Sequence, residues 1–465
     1  MKIKKKIIIN ICYDLFIRNY ILNNAFEELE KKYDCYFIAS KDTVLLKKEI
    51  KVKKNFLGFY EFSNLERKRV KLYFLLNCFR QKNNSRAINF NLKVMLKPKF
   101  KYDNEKIFNI VLNFFPRLLS YIIKRIKLIT FSLLNLEVNY LDKNSKGIKF
   151  LEEKIDKINP NLIISPIQGW HIGHNEINKI AKQKNIKTLS IIDNWDNCSS
   201  KPMMKPFYDN YLVWGKQSLM HAHKIHKIPK KNIHLIGTSR FDNYYKLRSK
   251  KLKSHFNFKY ILYIESWGIG YFSLHKDDQA ALQILDQMIE NNKKEYKNTK
   301  IIYRPYPWRF TREIIDFSKI KNVILDPQVK KNYLKRNIGT SSFQPDLSYY
   351  PSLIKNAEIV IAGPTTMVIE SALFNKKTIM MSQNSDRFVS NGNFVENSEH
   401  FDEIEKIKPI TLCKNLDNLS DIVEKKLNRE KTEKFSSLDK KINYFLYNDK
   451  KEFKKRLLDK ISKII

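Results

Sequence analysis

The sequence predicts an α/β protein with two Rossmann-like domains that face each other across a cleft. Strand-like apolar runs alternate with helical patterns, which is typical of parallel sheets covered by helices. The chain of 465 residues is too long for one core. A charged segment at 246–258 divides the alternating series and is the best candidate for a linker. We therefore assign residues 1–245 to an N-terminal, acceptor-binding domain and residues 259–430 to a C-terminal, nucleotide-binding domain.

The strands expected in the first domain are short runs rich in β-branched residues. They lie at 6–12, 34–39, 161–165, 187–192, 210–214 and 233–236. Helical patterns fill 20–32 and 175–184. Residues 45–150 are basic and aromatic with few Gly or Pro residues, so we interpret them as a helical insertion into this domain.

The second domain repeats the same alternation. Its expected strands lie at 260–264, 300–304, 322–325, 358–362 and 377–381, and a helix is expected at 277–291. The tail, 438–465, has the pattern of one lysine-rich amphipathic helix. Its expected apolar positions are Phe445, Leu446, Phe453, Leu457, Leu458 and Ile461.

The charge balance predicts an anionic partner. The chain has 87 Lys and Arg against 48 Asp and Glu, a formal net charge of +39. Part of this excess is a bias toward Lys, Asn and Ile throughout the chain. No zinc-finger spacing, RNP-like motif or Arg-rich recognition helix appears, so we expect no specific nucleic-acid partner. The five cysteines are scattered without CxxC spacing, which indicates a reducing, cytoplasmic compartment.

One segment indicates contact with a membrane surface. Residues 110–135 are strongly apolar but include Arg117, Lys124, Arg125 and Lys127. These charges argue against a spanning helix and suit a helix that lies in an anionic lipid interface. The alternative is a core-facing helix with a solvated basic side. We expect the protein to be peripheral at the inner face of the cell membrane.

The segment 358–379 is the most informative part of the chain. An apolar strand is followed by a break at Gly363, and Thr365 and Thr366 stand where a helix begins. Glu370 follows Thr366 by four residues and shares one helix face with it. Hydroxyl and backbone N–H groups suit a phosphate, and a carboxylate one turn later suits a ribose or sugar diol. The alternative is a βα unit in which the threonines only cap the helix.

Two further polar clusters follow predicted strands of the second domain. Arg304 ends the strand at 300–304, where a guanidinium can hold a diphosphate through two hydrogen bonds. Glu265 and Ser266 follow the strand at 260–264 in a turn that suits close approach of a ligand. For Arg304 the alternative is a surface salt bridge.

The first domain offers candidates for a catalytic base. His171 and His174 follow the strand at 161–165 and are three residues apart. No HExxH pattern completes a metal site, so we predict no metal and treat His171 as a candidate general base; the alternative for each histidine is a structural role.

Polar residues also crowd the end of the strand at 187–192. Asp193 and Asp196 are candidate bases for an acceptor hydroxyl, Trp195 is a candidate for stacking on a sugar, and Asn197 lies beside them. The alternative is a turn built from Asx residues. Further along, Arg240 and Asp242 lie at the crossing between domains and are expected to line the cleft.

Four segments together resemble a known group of enzymes. They read WDNCSSK, VWGKQSLMHAHKIHKIPKKNIHLIGTSRFDNY, YRPYPW and AGPTTMVIESALFNKKTI. Over roughly residues 160–385 the chain resembles the two-domain GT-B glycosyltransferases of bacterial surface polysaccharide assembly, including capsule and lipopolysaccharide. The wider relatives are CDP-glycerol glycerophosphotransferases and the UDP-N-acetylglucosamine 2-epimerase fold.

The resemblance implies roles for individual residues. It assigns the donor phosphates to Arg304, Thr365 and Thr366. It matches Glu370 to the second acid of the EX7E pattern of retaining GT-B enzymes. The first acid would stand at position 362, which is Ala362 here, so the anomeric outcome stays open.

The resemblance also implies an activity. We expect a metal-independent enzyme without a cofactor that moves a sugar from a nucleotide-activated donor to a surface-glycan or lipid-linked acceptor. One alternative is a glycerol- or polyol-phosphate transferase of the teichoic-acid type. Those relatives have a histidine where this chain has Tyr306, and Tyr-Ser-Ser where it has Pro364-Thr365-Thr366, and both differences favour sugar transfer. Another alternative is a non-catalytic membrane- or nucleic-acid-binding protein. An epimerase would require an acidic catalytic cluster, which the sequence does not show.

Overall fold

Two fully parallel sheets form the framework of the protein. The structure, a computed structural model, describes residues 4–96, 141–168, 175–265, 275–308, 314–336, 343–384, 389–429 and 434–465. The first sheet has the strand order β3-β2-β1-β4-β5-β6-β7 and the second has the order β10-β9-β8-β11-β12-β13. The predicted α/β class with two sheets is therefore confirmed.

The strands are short and mostly buried. Those of the first sheet are β1 Lys6–Ile11, β2 Asp34–Ser40, β3 Phe56–Tyr60, β4 Leu162–Ile167, β5 Lys187–Ile192, β6 Asn210–Val213 and β7 Ile233–Leu235. Those of the second are β8 Lys259–Ile264, β9 Thr299–Arg304, β10 Val323–Leu325, β11 Ile359–Ala362, β12 Thr378–Met381 and β13 Ile410–Cys413. All the predicted strands are present to within a few residues, whereas the sequence does not predict β3 and β13.

Helices connect the strands. The helices of the first half are α1 Asp14–Phe16, α2 Glu27–Lys32, α3 Lys47–Lys51, α4 Asn64–Gln81, α5 Arg86–Leu96, α6 Lys146–Ile158, α7 Asn175–Gln183, α8 Asn197–Ser200, α9 Lys216–His226 and α10 Asp242–Leu247. Those of the second half are α11 His275–Asn291, α12 Pro327–Leu334, α13 Tyr349–Lys355, α14 Met367–Leu373, α15 Asn391–Glu396, α16 Leu419–Arg429, α17 Phe435–Phe445 and α18 Phe453–Ile464.

One helix prediction is wrong, and another predicted helix lies outside the described residues. The helix expected at 20–32 is a π-helical turn, Ile17–Ile21, followed by the separate α2. Within the predicted insertion the structure has α3, β3, α4 and α5, but the apolar basic segment at 110–135 lies outside the described residues. In the described part of the chain, no helix is long and apolar enough to cross a membrane.

The tail forms two helices instead of the single helix predicted, and α18 packs on the first domain. The Phe453 and Tyr20 ring centroids are 6.4 Å apart, and Arg456 Nε donates to the Ile236 carbonyl oxygen at 2.8 Å. The chain between α17 and α18 passes close to Gly237, which has φ of 77°, and a Cβ there would lie 2.3 Å from the Tyr447 carbonyl oxygen. This crossing joins the two domains a second time, besides the segment that follows α10.

Each sheet has one topological switch point, where the chain leaves the centre in opposite directions. These points lie between β1 and β4 in the first sheet and between β8 and β11 in the second. In open parallel sheets, ligands bind outside the carboxyl ends of the strands at such a point. The fold therefore directs attention to the residues that follow these four strands and their neighbours.

Candidate functional site

A buried carboxylate marks the first sheet's half of the site. Asp193 follows β5 directly and is 2% exposed. Its Oδ1 accepts from Asn19 Nδ2 at 2.8 Å, and its Oδ2 accepts from Gln168 Nε2 at 2.7 Å. Asn19 comes from the π-helical turn after β1, and Gln168 follows β4. Two neutral donors, one following each strand of the switch point, therefore fix the carboxylate of Asp193 beside it.

A buried arginine lies near the carboxylate of Asp193. Arg18 is 4% exposed, and its Nε and Nη2 both donate to Asn19 Oδ1 at 3.0 Å. Its guanidinium also lies 5.0 Å from the ring centroid of Trp308, which belongs to the loop after β9 in the second domain. Burial lowers the pKa of Arg18 to about 10, an effect that the nearby positive charge of Arg240 reinforces. Arg18 remains a cation at neutral pH and contacts both domains.

Arg240 supplies a second positive charge. Its Nη2 donates to Asn194 Oδ1 at 3.3 Å, and its guanidinium lies 5.0 Å from the ring centroid of Trp214. Its Nε is buried and has no hydrogen-bond partner among the described residues. Buried donors in folded proteins nearly always have a hydrogen-bond partner, so one without a partner is unusual. The Nε–H of Arg240 is therefore available to donate to a ligand.

Glu370, from the second domain, lies in one charged cluster with Asp193, Arg18 and Arg240 of the first domain. It lies on α14, is 6% exposed and accepts a hydrogen bond from the Tyr244 hydroxyl. Burial raises the pKa of Glu370, whereas Arg240, the Tyr244 hydrogen bond, Arg304 and Arg18 act in the opposite direction. A carboxylate of the second domain therefore lies within the field of three arginines, two of which come from the first domain.

Removing the Tyr244 hydroxyl tests this arrangement. We expect Tyr244→Phe to lower the free energy of unfolding by about 1–3 kcal/mol near neutral pH, because it leaves a buried carboxylate without its donor. The hydrogen bond stabilises the charged form of Glu370, so the loss should shrink as the pH falls through the pKa of this group. Urea unfolding at about pH 7.5 and about pH 5 measures both values. An equal loss at the two pH values would contradict this role.

Arg304 ends β9, as expected, but its guanidinium is bound by other side chains of the protein. It is 2% exposed, its Nη1 donates to Asp326 Oδ2, and its Nη2 donates to Gln328 Oε1 at 2.7 Å. Its guanidinium carbon lies 4.3 Å from the ring centroid of Tyr350. Burial alone would lower the pKa of Arg304, but Tyr350 and Asp326 more than reverse this effect and raise it. The salt bridge of Arg304 is therefore buried, not on the surface, and its two terminal nitrogens both have protein partners.

The turn after β11 is attached to the neighbouring strand of the sheet. The Gly363 N–H donates to the Ile264 carbonyl oxygen at 3.2 Å, which ties the turn to the end of β8. Thr366 precedes α14 but its side chain makes no capping hydrogen bond. The Thr365 hydroxyl is buried without a hydrogen-bond partner in the described part of the chain. The alternative that these threonines only cap the helix is therefore wrong for their side chains.

Glu265 lies beside this turn, at the end of β8. It is 5% exposed, and its Oε2 accepts from the Tyr306 backbone N–H at 2.6 Å. Glu265 thus fixes the start of the loop that leads to Trp308. Ser266, the other residue predicted here, lies outside the described residues.

The prediction that Trp195 stacks on a sugar is wrong. The side chain is 2% exposed and packs edge-on against His400, Phe401 and Phe445, at centroid distances of 5.1, 5.4 and 5.8 Å. Trp195 is part of the apolar core between the domains, so neither face is open to a ligand.

Asp196 and Asn197 form the Asx turn that was the alternative prediction. Asp196 Oδ2 accepts from Ser200 Oγ at 2.8 Å and lies 3.4 Å from Lys201 Nζ. Burial raises the pKa of Asp196, but Lys201 and His400 outweigh it, so the pKa is lowered. Asn197 donates to Asp196 Oδ1 at 3.2 Å and accepts from the Asn194 N–H at 3.2 Å. Both side chains have partners in their own turn.

Asp242 stabilises the tail instead of lining the cleft. Its Oδ2 accepts from the Phe453 N–H at 2.5 Å, and its Oδ1 lies 3.3 Å from Arg456 Nη2. Burial raises the pKa of Asp242 against the opposing effect of Arg456. Asp242 thus caps the start of α18, and Arg240 is the residue of this segment that reaches the cluster.

The predicted histidines cannot be placed, since His171 and His174 lie outside the described residues. Across the described ranges, no group of three or more His, Cys, Asp or Glu side chains has an arrangement that could hold a metal ion.

Sequence reasoning missed four residues of the site, which are Arg18, Asn19, Gln168 and Tyr244. Gln168 directly follows β4, so its position at a strand end was the available signal, whereas Arg18 lies in the π-helical turn, which the sequence did not predict.

The fold has counterparts among solved structures. The chain is similar to Neisseria meningitidis UDP-GlcNAc 2-epimerase bound to UDP-GlcNAc, with a TM-score of 0.51, 11% sequence identity and coverage of 98% of this chain and 100% of that one. It is also similar to a Listeria monocytogenes protein named as a putative UDP-N-acetylglucosamine 2-epimerase, with a TM-score of 0.51, 10% identity and coverage of 99% and 97%. No protein-family model and no curated protein matches the sequence.

The protein has the GT-B fold. This conclusion rests on its two parallel-sheet domains and on these full-length structural matches. At 10–11% identity, the likeness extends to the fold alone.

Proposed function

We propose that this protein is an enzyme that acts on a nucleotide-activated sugar, and specifically a glycosyltransferase. The observation that supports this proposal is the meeting of Asp193, Arg18 and Arg240 of the first domain with Glu370 of the second. Carboxylates and guanidinium groups at facing switch points suit a ligand that has both a sugar and a diphosphate.

The donor would lie against the second domain. In this proposal Thr365 and Thr366 contact the phosphates, and Glu370 accepts hydrogen bonds from the hydroxyls of the ribose or the sugar. The arginines Arg18 and Arg240 neutralise the diphosphate as it leaves, because fixed cations aimed at developing charge lower the barrier. Arg304 contacts no substrate in this proposal and fixes Asp326 and Gln328, the residues that follow β10.

Asp193 would be the general base. Its carboxylate is ionisable, fixed by two donors and close to Arg18, and in a GT-B cleft the acceptor hydroxyl approaches from this first domain. Since Asp193, Arg18 and Glu370 are each less than a tenth exposed, we expect the domains to separate before the substrates enter.

Epimerisation of a nucleotide sugar is the second candidate function. The structural matches to UDP-GlcNAc 2-epimerases favour it, and Asp193 and Glu370 would then be the acidic groups that exchange protons with the sugar. Polyol-phosphate transfer is the remaining catalytic alternative, but nothing in the described geometry favours it over the other two.

Product analysis separates these reactions. We expect incubation with a panel of nucleotide sugars to release the nucleoside diphosphate, because glycosyl transfer or slow transfer to water breaks the bond between the sugar and the diphosphate. An epimerase would instead give a second nucleotide sugar, in which the sugar is again bonded to the diphosphate. Transfer of a polyol phosphate from a CDP-polyol would release CMP. Chromatography of the nucleotides, with heat-treated protein as the control, distinguishes the three results.

A further inference from the structure

A cavity lies at the edge of the first sheet opposite to Asp193. It has a volume of about 830 Å³ and is lined at the amino ends of β5, β6 and β7, where Lys187, Asn210 and His234 lie. Asp193 follows the other end of β5. At about 3.3 Å per residue, the six residues of β5 place this cavity about 20 Å from Asp193. It is therefore separate from the candidate active site.

The cavity wall is strongly basic. Lys182, Lys187 and Lys231 come from the first domain, and Lys460 and Lys463 come from α18. Lysine is a compact point charge that commonly binds phosphate groups. Five lysines from separate parts of the chain therefore contribute positive charge to one cavity.

The acidic residue of the wall is already paired. Asp209 forms a salt bridge with Lys182, and its Oδ2 accepts from the N–H and the Oγ1 of Thr188, both at 2.8 Å. Lys187 Nζ donates to the Ile464 carbonyl oxygen at 2.8 Å. Among the described residues, the lysines of this wall other than Lys182 have no acidic partner.

His234 lies in the same wall of the cavity. Its Nε2 lies 2.9 Å from Asn210 Oδ1, so the ring is fixed in the wall. Burial lowers the pKa of His234, and the charge of Lys460 lowers it further. The cation of Lys460 therefore lies close enough to His234 to act on this wall of the cavity.

We propose that this basic cavity binds a phosphorylated anion, at a site distinct from the nucleotide-sugar cleft. Its volume lies in the range of small-molecule sites, and its four lysines without an acidic partner match a group with several negative charges. The ligand would join α18 to the amino edge of the first sheet. A phosphate-bearing metabolite and the headgroup of an anionic phospholipid have this chemistry in common.

A double variant tests the proposal. Lys231→Gln/Lys460→Gln removes one charge from each side of the cavity, and neither residue belongs to the ion pairs that anchor α18. The matched control is Lys294→Gln/Lys297→Gln, two exposed lysines between α11 and β9. Thermal unfolding of both double variants checks that they are folded.

Two probes distinguish the sources of the phosphate. Calorimetric titration with sodium pyrophosphate tests a soluble ligand, and co-sedimentation with phosphatidylcholine vesicles that contain phosphatidic acid tests a headgroup. We expect the cavity variant to lose at least about tenfold in affinity for one probe, in a salt-dependent manner, while the control variant matches the wild type. Pyrophosphate can also occupy the proposed diphosphate site of the cleft, so the same comparison is repeated with Arg240→Met added to the wild type and to both double variants. The cavity variant should still lose about tenfold against the control in that background, which separates the cavity from the cleft. Equal binding of both probes by the cavity variant and the control would overturn the proposal.

Discussion

We expect Asp193→Asn to lower the turnover of the proposed nucleotide-sugar substrate by about 10²–10⁴-fold, the usual contribution of a general base, which is the role proposed for Asp193. The substitution keeps the size of the side chain but removes the charge that would take a proton from the acceptor. The amide introduced at this position would also present an N–H to Asn19 or Gln168, which are both donors in the structure. A small loss of stability should therefore accompany the loss of turnover.

Asp196→Asn is the matched control for this measurement. Asp196 lies three residues away, and its carboxylate has partners in its own turn. We expect its turnover to stay within about tenfold of the wild type, since it contacts no group of the cluster. A variant series in which Asp196→Asn is inactive and Asp193→Asn is active would contradict the assignment of the base. Initial rates of nucleotide release, at matched amounts of folded protein, provide the comparison.

The second large effect concerns stability. We expect Arg304→Met to lower the free energy of unfolding by about 3–5 kcal/mol, because it leaves the carboxylate of Asp326 buried without its cation. Asp326 is 0% exposed, although the Tyr349 hydroxyl and the Gln328 N–H, each 3.0 Å from its Oδ1, would still donate to it. Exposed ion pairs contribute only about 0–1 kcal/mol, so burial decides the size of this effect.

Arg86→Met provides the exposed comparison. Arg86 Nη2 lies 2.6 Å from Asp402 Oδ1, and both side chains are about half exposed. Denaturant unfolding of the two variants should give a loss several times larger for Arg304→Met. A loss below about 1 kcal/mol for Arg304→Met would contradict the buried pair.

The sequence was sufficient for the framework of the fold. The apolar runs of β1, β4 and β5 are rich in isoleucine, and runs of this type predict buried parallel strands without reference to the rest of the chain. The sequence pattern did not predict β3, because Gly58 interrupts the strand and the neighbouring segments are rich in lysine. Gly58 has a φ of 125°. The strand β13 has only four residues, which is too short for a clear periodicity.

The candidate site could be predicted only in part. Asp193, Glu370 and Thr365 follow strands or begin a helix, so local pattern identified them. Tyr244 gave no local signal as the partner of Glu370, because their contact depends on how α10 packs against α14. The same applies to Arg304, whose pairing with Asp326 depends on the alignment of β9 beside β10. Partners from separate elements need the tertiary structure.

Calorimetric titration of the wild type and Arg240→Met with UDP, CDP and GDP tests the central claim most directly. We predict that the wild type binds at least one of these nucleoside diphosphates. Arg240→Met should bind it about 10–100-fold more weakly, as expected when charge-assisted hydrogen bonds to a diphosphate are lost. Arg86→Met, which removes an arginine outside the cluster, should bind like the wild type. Binding of no nucleotide by the wild type, or equal affinity in Arg240→Met, would contradict a diphosphate site between Arg18, Arg240 and Glu370.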